Sequence, residues 1–206
     1  MYQVVGKPNS RVMRIIWMLE ELGEPYEIIV AAQHTDEVTK GNPGGKMPVL
    51  RDGGTIIPDS VAICTYLADK HGKLTAPAGT PERGRQDAMT QFCVDEVEGA
   101  LWTAAKNDFI HPEEVRTPEI RKTCEHEFAK AMRTLEKHLA DREFVTGAAF
   151  TVPDLLLGHC AGWAKGAKFS IPEGPVEDYF ARVRGRDALK RAVQRGKEAT
   201  EAAEAA

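Results

Sequence analysis

Ser10-Arg11-Val12-Met13-Arg14-Ile15-Ile16-Trp17-Met18-Leu19-Glu20-Glu21-Leu22-Gly23 reads as one helix with a marked end. Val12, Ile15, Ile16, Leu19 and Leu22 recur at three- and four-residue steps, which lines up a single apolar face. Gly23 stops the helix, because a glycine can take the left-handed conformation in which helices commonly close. Upstream, Tyr2-Gln3-Val4-Val5 reads as a strand. Downstream, past Pro25, Glu27–Ala31 reads as a second strand. Strand, helix, strand with a crossover of this size predicts two parallel strands joined by a right-handed connection.

Further along, Gln33 to Lys46 has little pattern and room for a short helix. Met47-Pro48-Val49-Leu50-Arg51 is a strand, Gly53-Gly54 a hairpin turn and Thr55-Ile56-Ile57 the return strand. Asp59 and Ser60 open another helix, with Ile63, Tyr66 and Leu67 on its inner face and Gly72 as its stop. The order βαβ followed by ββα is thioredoxin-like. Composition then changes. Ala76-Pro77-Ala78-Gly79-Thr80-Pro81 looks like a linker, and the chain beyond it is mostly helical. The expected division is an α/β domain over 1–75, a linker over 76–82 and an all-α domain over 83–206. Helices are predicted near 82–108, 118–140, 152–166, 175–184 and 186–197. Thr151-Val152-Pro153-Asp154 is a helix start: Thr151 can cap, Pro153 needs no amide donor there, and Asp154 can bond back to the cap. The alanine- and glutamate-rich tail from Glu198 is expected to fray.

The bulk composition narrows the function classes. With 27 basic and 31 acidic residues the formal net charge is −4, and no basic stripe alternates with aromatics, so nucleic acid is not expected as a partner. No apolar run approaches the roughly 18–20 residues of a membrane span. Met1-Tyr2-Gln3-Val4-Val5-Gly6 reads as a first strand and not as a signal peptide. Cys64, Cys93, Cys124 and Cys160 are widely spaced with no Cys-x-x-Cys pair, which argues against zinc and against a dithiol motif. Free buried thiols in a reducing cytoplasm are the plain reading.

Three places in the first domain carry possible chemistry. Pro8-Asn9-Ser10-Arg11 hands the first strand to the first helix. A hydroxyl there lies near unpaired amides and the positive end of the helix dipole, which favours an anion such as a thiolate; equally, Ser10 or Asn9 can simply cap the helix. In Gly44-Gly45-Lys46-Met47-Pro48-Val49, a proline that starts a strand is a candidate cis peptide. A cis bond would leave the Met47 amide and carbonyl to pair with an extended peptide ligand; the commoner alternative is a trans proline at an edge strand. Asp59-Ser60 is either an ordinary N-cap or a ligand clamp. In the clamp, Ser60 holds a carboxylate and Asp59 accepts from an ammonium.

Together these motifs resemble the glutathione transferase superfamily, over nearly the whole chain. The resemblance rests on Ser10 to Gly23, on Asn42-Pro43-Gly44-Gly45-Lys46-Met47-Pro48-Val49-Leu50, on Asp59-Ser60 with Tyr66-Leu67, and on Phe150-Thr151-Val152-Pro153-Asp154. The Ser-Arg opening with Trp17 is most similar to a bacterial and fungal subgroup. The resemblance implies a thioredoxin-like glutathione-binding domain followed by a helical domain, with glutathione as co-substrate and no metal. Pro48 would be the cis-proline, and Met47 would pair with the cysteinyl backbone. Asp59 and Ser60 would hold the γ-glutamyl end and Lys46 a carboxylate, while Ser10 would stabilise the thiolate. A fall of two pKa units in that thiol corresponds to about 2.7 kcal/mol. Asp59 stands where the family usually has glutamate. Aligned on the Leu-Glu-Glu run, some classes would place the catalytic position at Lys7 or Asn9, where no hydroxyl stands, and Ser10 would then be only a cap. No tyrosine follows the first strand and no cysteine lies in the loop, which disfavours those two variants of the chemistry.

The implied reaction is attack of the glutathione thiolate on a hydrophobic electrophile, in a cytoplasmic homodimer engaged in detoxification. A glutathione-dependent reductase or peroxidase is a second reading, and a non-catalytic binding module a third. Retention of Lys46, Pro48, Asp59 and Ser60 argues against the third. Trp102, Phe109 and Trp163 are candidates for an apolar second pocket, with core packing the plainer expectation for each.

Overall fold

A computed structural model describes residues 1–205. The chain packs as two compact units, one formed by Met1–Thr75 together with the chain from Gly185 onward, the other by Ala76–Arg184.

In the first unit, β1 (Tyr2–Val5) leads through a kinked turn to α1 (Met13–Leu22), then β2 (Tyr26–Ile29), the short α2 (Asp36–Thr39), β3 (Val49–Asp52), β4 (Thr55–Pro58) and α3 (Ser60–His71). The sheet order is β2-β1-β3-β4. β1 pairs parallel with β2, Val4 opposite Ile28, and antiparallel with β3, Val4 opposite Leu50. β3 and β4 form the expected hairpin. This is the thioredoxin-like arrangement expected from the strand and helix pattern. Both faces of the central strand are covered. Val5 and Val49 cluster with Ala31 and Val38 on one side, while Val4 and Leu50 are fully buried on the other. Gly23 closes α1 at φ 75°, its N–H bonded to the Leu19 carbonyl.

The last helix, α9 (Asp187–Glu204), also belongs to this unit and packs on α1. Two ion pairs seat it. Arg186 grips Glu21, which also accepts from the Trp17 indole N–H at 2.9 Å. Arg191 reaches Glu20 at 2.7 Å, and Glu20 in turn accepts from the Tyr26 hydroxyl at 2.8 Å. The tail expected to fray from Glu198 is instead helical through Glu204. Alanine and glutamate are strong helix formers, and Gln194 and Lys197 each pair one turn ahead, with Glu198 and Glu201.

The second unit is all-helical: α4 (Pro81–Phe92), α5 (Gly99–Ala105), α6 (Ile120–Leu139), α7 (Val152–Gly166) and α8 (Pro175–Arg184). α4 and α5 are joined by wide π-type turns over Cys93–Glu98, and a second such turn covers Lys106–Ile110. Phe128, Met132, Leu135, Leu155, Leu156 and Tyr179 are its core. The capping box at Thr151 is present, and Asp154 does more than cap. Fully buried, it accepts from the Thr151 N–H and hydroxyl, from the Val145 N–H and from the Tyr179 hydroxyl, all at 2.9 Å. Burial pushes its carboxyl pKa up, against those four bonds. Among the described residues no helix is long and apolar enough to cross a membrane.

Candidate functional site

The turn between β1 and α1 takes its shape from Gly6, Asn9 and Ser10. Gly6 has φ 133°, and a side-chain carbon there would lie 2.7 Å from Val12 Cγ2 and 2.8 Å from Met47 Cβ. Only glycine fits, and its absent side chain lets Met47 approach the turn. Asn9 (φ −77°, ψ 31°) and Ser10 (φ −136°, ψ −161°) break the helical path before Met13. The Ser10 hydroxyl donates to the Lys7 carbonyl at 2.7 Å and accepts from the Val12 N–H at 3.2 Å. Ser10 therefore caps the turn, with its proton directed at Lys7.

Lys7 ties this turn to the second segment. Its backbone N–H donates to the Met47 sulfur at 3.1 Å. The Met47-Pro48 peptide is cis, the less common of the two forms open to it. The β3 ladder begins at Val49, so the Met47 backbone lies outside it. Pro48 is buried and Lys46 exposed. The turn before Lys46 is held by the Asn42 amide, which donates to the Lys46 carbonyl at 2.9 Å.

The third segment heads α3. Asp59 sits at φ 73° and caps the helix, with one carboxylate oxygen, Oδ1, accepting from the Val61 and Ala62 N–H groups at 2.9 and 3.0 Å. A positive φ at a residue that is not glycine is costly and is held in place by its surroundings. Ser60 is 2% exposed, and its hydroxyl oxygen accepts from Arg14 Nη1 at 3.1 Å. Arg14, only 1% exposed, sits in α1 among Ile15, Ile16, Trp17 and Met18, all fully buried. One stretch, residues 7–14, thus touches Met47 at its start and Ser60 at its end, with Ser10 between. Lys46 joins this group only as the chain neighbour of Met47. Arg14 was missed from sequence, because a lone arginine in an amphipathic helix reads as solvated.

The helical unit corrects one expectation. Phe109 is 80% exposed and packs in no core; it lies within the wide turn over Lys106–Ile110 that follows α5, where the helical stripe no longer faces the interior. Trp102 and Trp163 are half-buried and meet edge to face at 6.3 Å. Phe109 and Trp163 line a cavity of about 580 Å³ with Leu101, Arg121 and Phe169. The Arg121 guanidinium stacks on Phe169 at 4.6 Å and pairs with Asp108 and Glu125. All four cysteines are buried thiols outside any disulfide, and the Cys93 and Cys160 sulfurs lie 4.0 Å apart. Burial pushes the Cys64 thiol up to about 12, which suppresses its thiolate.

The family model for the glutathione S-transferase N-terminal domain matches residues 10–70, which span every position from Ser10 to Ser60 described above. Glutathione S-transferase 2 of Anopheles gambiae is 30% identical over 163 residues, covering 73% of this chain and 74% of that protein. This chain belongs to the glutathione S-transferase family. Glutathione S-transferase 3 of Schizosaccharomyces pombe is 28% identical over 165 residues, 71% of this chain and 67% of that one. A crystal structure of a glutathione transferase from Phanerochaete chrysosporium with oxidized glutathione superposes with a TM-score of 0.83 at 20% identity, covering 97% and 96% of the two chains. As in that transferase fold, a thioredoxin-like unit is followed by helices, and the matched segments of the first unit hold the cis-proline and the capped head of α3.

Proposed function

We propose that this family member is an active transferase: residues 1–75 bind glutathione and its thiolate attacks a hydrophobic electrophile. The observation that carries the reading is the head of α3. A buried Ser60 hydroxyl and the first amides of the helix stand beside Asp59, whose Oδ1 is engaged in the cap. Such a pair suits an amino-acid zwitterion. Ser60 takes the carboxylate through its hydroxyl and its own N–H at the positive end of α3, and the second Asp59 oxygen takes the ammonium. Met47 pairs its backbone with the cysteinyl residue beside Pro48, and Lys46 takes the remaining carboxylate. Ser10 stabilises the thiolate, and for that its O–H turns from the Lys7 carbonyl to the sulfur. The thiol proton leaves to solvent, a carbon–sulfur bond forms and the leaving group departs with its electron pair. Exposed Phe109 and the apolar cavity beside Trp163 support a hydrophobic co-substrate. A cytoplasmic homodimer with a detoxifying role, in the subgroup marked by Ser10-Arg11 and Trp17, belongs to the same proposal and is supported by resemblance.

Calorimetric titration with glutathione tests it. Saturable binding below millimolar concentration is expected, and no heat of binding at millimolar ligand would sink the reading. Formation of a thioether from a chlorinated aromatic compound then separates transfer from reduction of peroxides.

A further inference from the structure

We propose that Arg14 is a positioning residue for the ligand's γ-glutamyl carboxylate, acting through Ser60. This rests on Ser60 being the carboxylate anchor proposed above. A hydroxyl has one hydrogen to donate and lone pairs to accept with, whereas a guanidinium only donates. The Arg14 Nη1 bond at 3.1 Å therefore fixes Ser60 as acceptor on that side and leaves the Ser60 hydrogen to point elsewhere. Among the described residues no carbonyl or carboxylate takes that hydrogen. An incoming carboxylate is the acceptor that completes it.

The placement of the charge supports the same role. Arg14 lies in a run of fully buried apolar residues, where an aliphatic side chain would pack without losing hydration. A guanidinium there costs free energy, so its hydrogen bonds and nearby anions must offset it. α3 packs on α1 at this point, with the Cys64 thiol 3.8 Å from the Arg14 carbonyl. The fixed positive charge therefore lies under the end of α3 whose dipole already favours an anion. Bond and field together orient the Ser60 hydroxyl toward a carboxylate before the ligand arrives, which lowers the cost of ordering it on binding.

The test compares two ligands by calorimetry: glutathione, and 4-aminobutanoyl-cysteinyl-glycine, the same peptide without the γ-glutamyl carboxylate. Arg14→Met is expected to weaken glutathione about tenfold, the scale of one charge-assisted hydrogen bond. The analogue's affinity should stay within about twofold of wild type. Arg14→Lys should recover part of the loss, and in a Ser60→Ala background Arg14→Met should cost nothing further. Equal weakening of both ligands, or of neither, overturns the proposal. If Arg14→Met does not fold, Arg14→Gln and Arg14→Lys carry the comparison. Both keep a donor for Ser60 and only lysine keeps the charge, so a glutathione-specific loss in Arg14→Gln is expected and its absence overturns the field argument. Failure of the wild-type chain to bind glutathione would instead remove the anchor reading itself.

Discussion

The Arg186 guanidinium closes on the Glu21 carboxylate with two parallel bonds, Nε to Oε1 at 2.6 Å and Nη2 to Oε2 at 2.7 Å. The Glu21 side chain is only 6% exposed and holds the Trp17 N–H as well. Removing Arg186 leaves a carboxylate with one neutral partner in a nearly dry site. Arg186→Leu and Glu21→Leu should each lose about 2 kcal/mol, and the double variant should lose clearly less than their sum. Urea unfolding of the four proteins measures the coupling; additive losses would mean the fork contributes nothing.

Ser10 has a structural and a chemical part to play, and these separate. Its bonds to Lys7 and Val12 make Ser10→Ala less stable by about 1 kcal/mol. If the hydroxyl also serves the thiolate, kcat toward a chlorinated aromatic substrate should fall about a hundredfold while glutathione affinity holds. Ser10→Thr should keep much of both. An unchanged kcat in Ser10→Ala would leave Ser10 as a cap alone.

Gly6→Ala tests the close approach of Met47. The added carbon would overlap Val12 and Met47 at a backbone angle alanine avoids. A loss of about 2–3 kcal/mol is expected, with weakened glutathione binding because Met47 is displaced. Melting temperature and calorimetry check the two effects; a wild-type melt would refute the geometry.

Acid stability should depend on Asp52. Its hydrogen bonds from Lys70 and from the Tyr66 hydroxyl, the latter at 2.6 Å, hold its carboxyl below the ordinary range. A lowered folded-state pKa means the unfolded chain binds the proton more tightly. The stabilisation is therefore complete above the unfolded value near 4 and disappears as pH falls through the folded value. Asp52→Asn should be less stable than wild type at pH 7, and the gap should close as pH falls below about 4. A gap independent of pH would contradict this.

Local patterns in the sequence were enough for the first unit's succession of strands and helices and for the Thr151 box. The apolar steps from Val12 to Leu22, the stop at Gly23, the Gly53-Gly54 turn and the Thr-x-x-Asp spacing each act over a few residues. The Asp59-Ser60 start of α3 and the strand opening beside Pro48 were also legible locally. What escaped depends on contacts between distant positions. Arg14 meets Ser60 across 46 residues, and nothing beside Arg14 in the chain marks it as buried. Phe109 carries the side chain of a core residue, yet the widened turn over Lys106–Ile110 sets it outside. The seating of α9 on α1 depends on Arg186 and Arg191, which read as ordinary surface charges.

That seating bears on how the chain is made. On the ribosome, α1 emerges long before α9, and all of residues 76–184 are synthesised in between. The carboxylates of Glu20 and Glu21 wait through that interval without their arginines, and α9 docks on α1 only after residues 76–184 have left the exit tunnel. Nascent chains stalled before Asp187 should expose the α1 flank to holding chaperones. Shortening the chain from its C-terminal end therefore removes part of the thioredoxin-like unit's scaffold, not a dispensable tail.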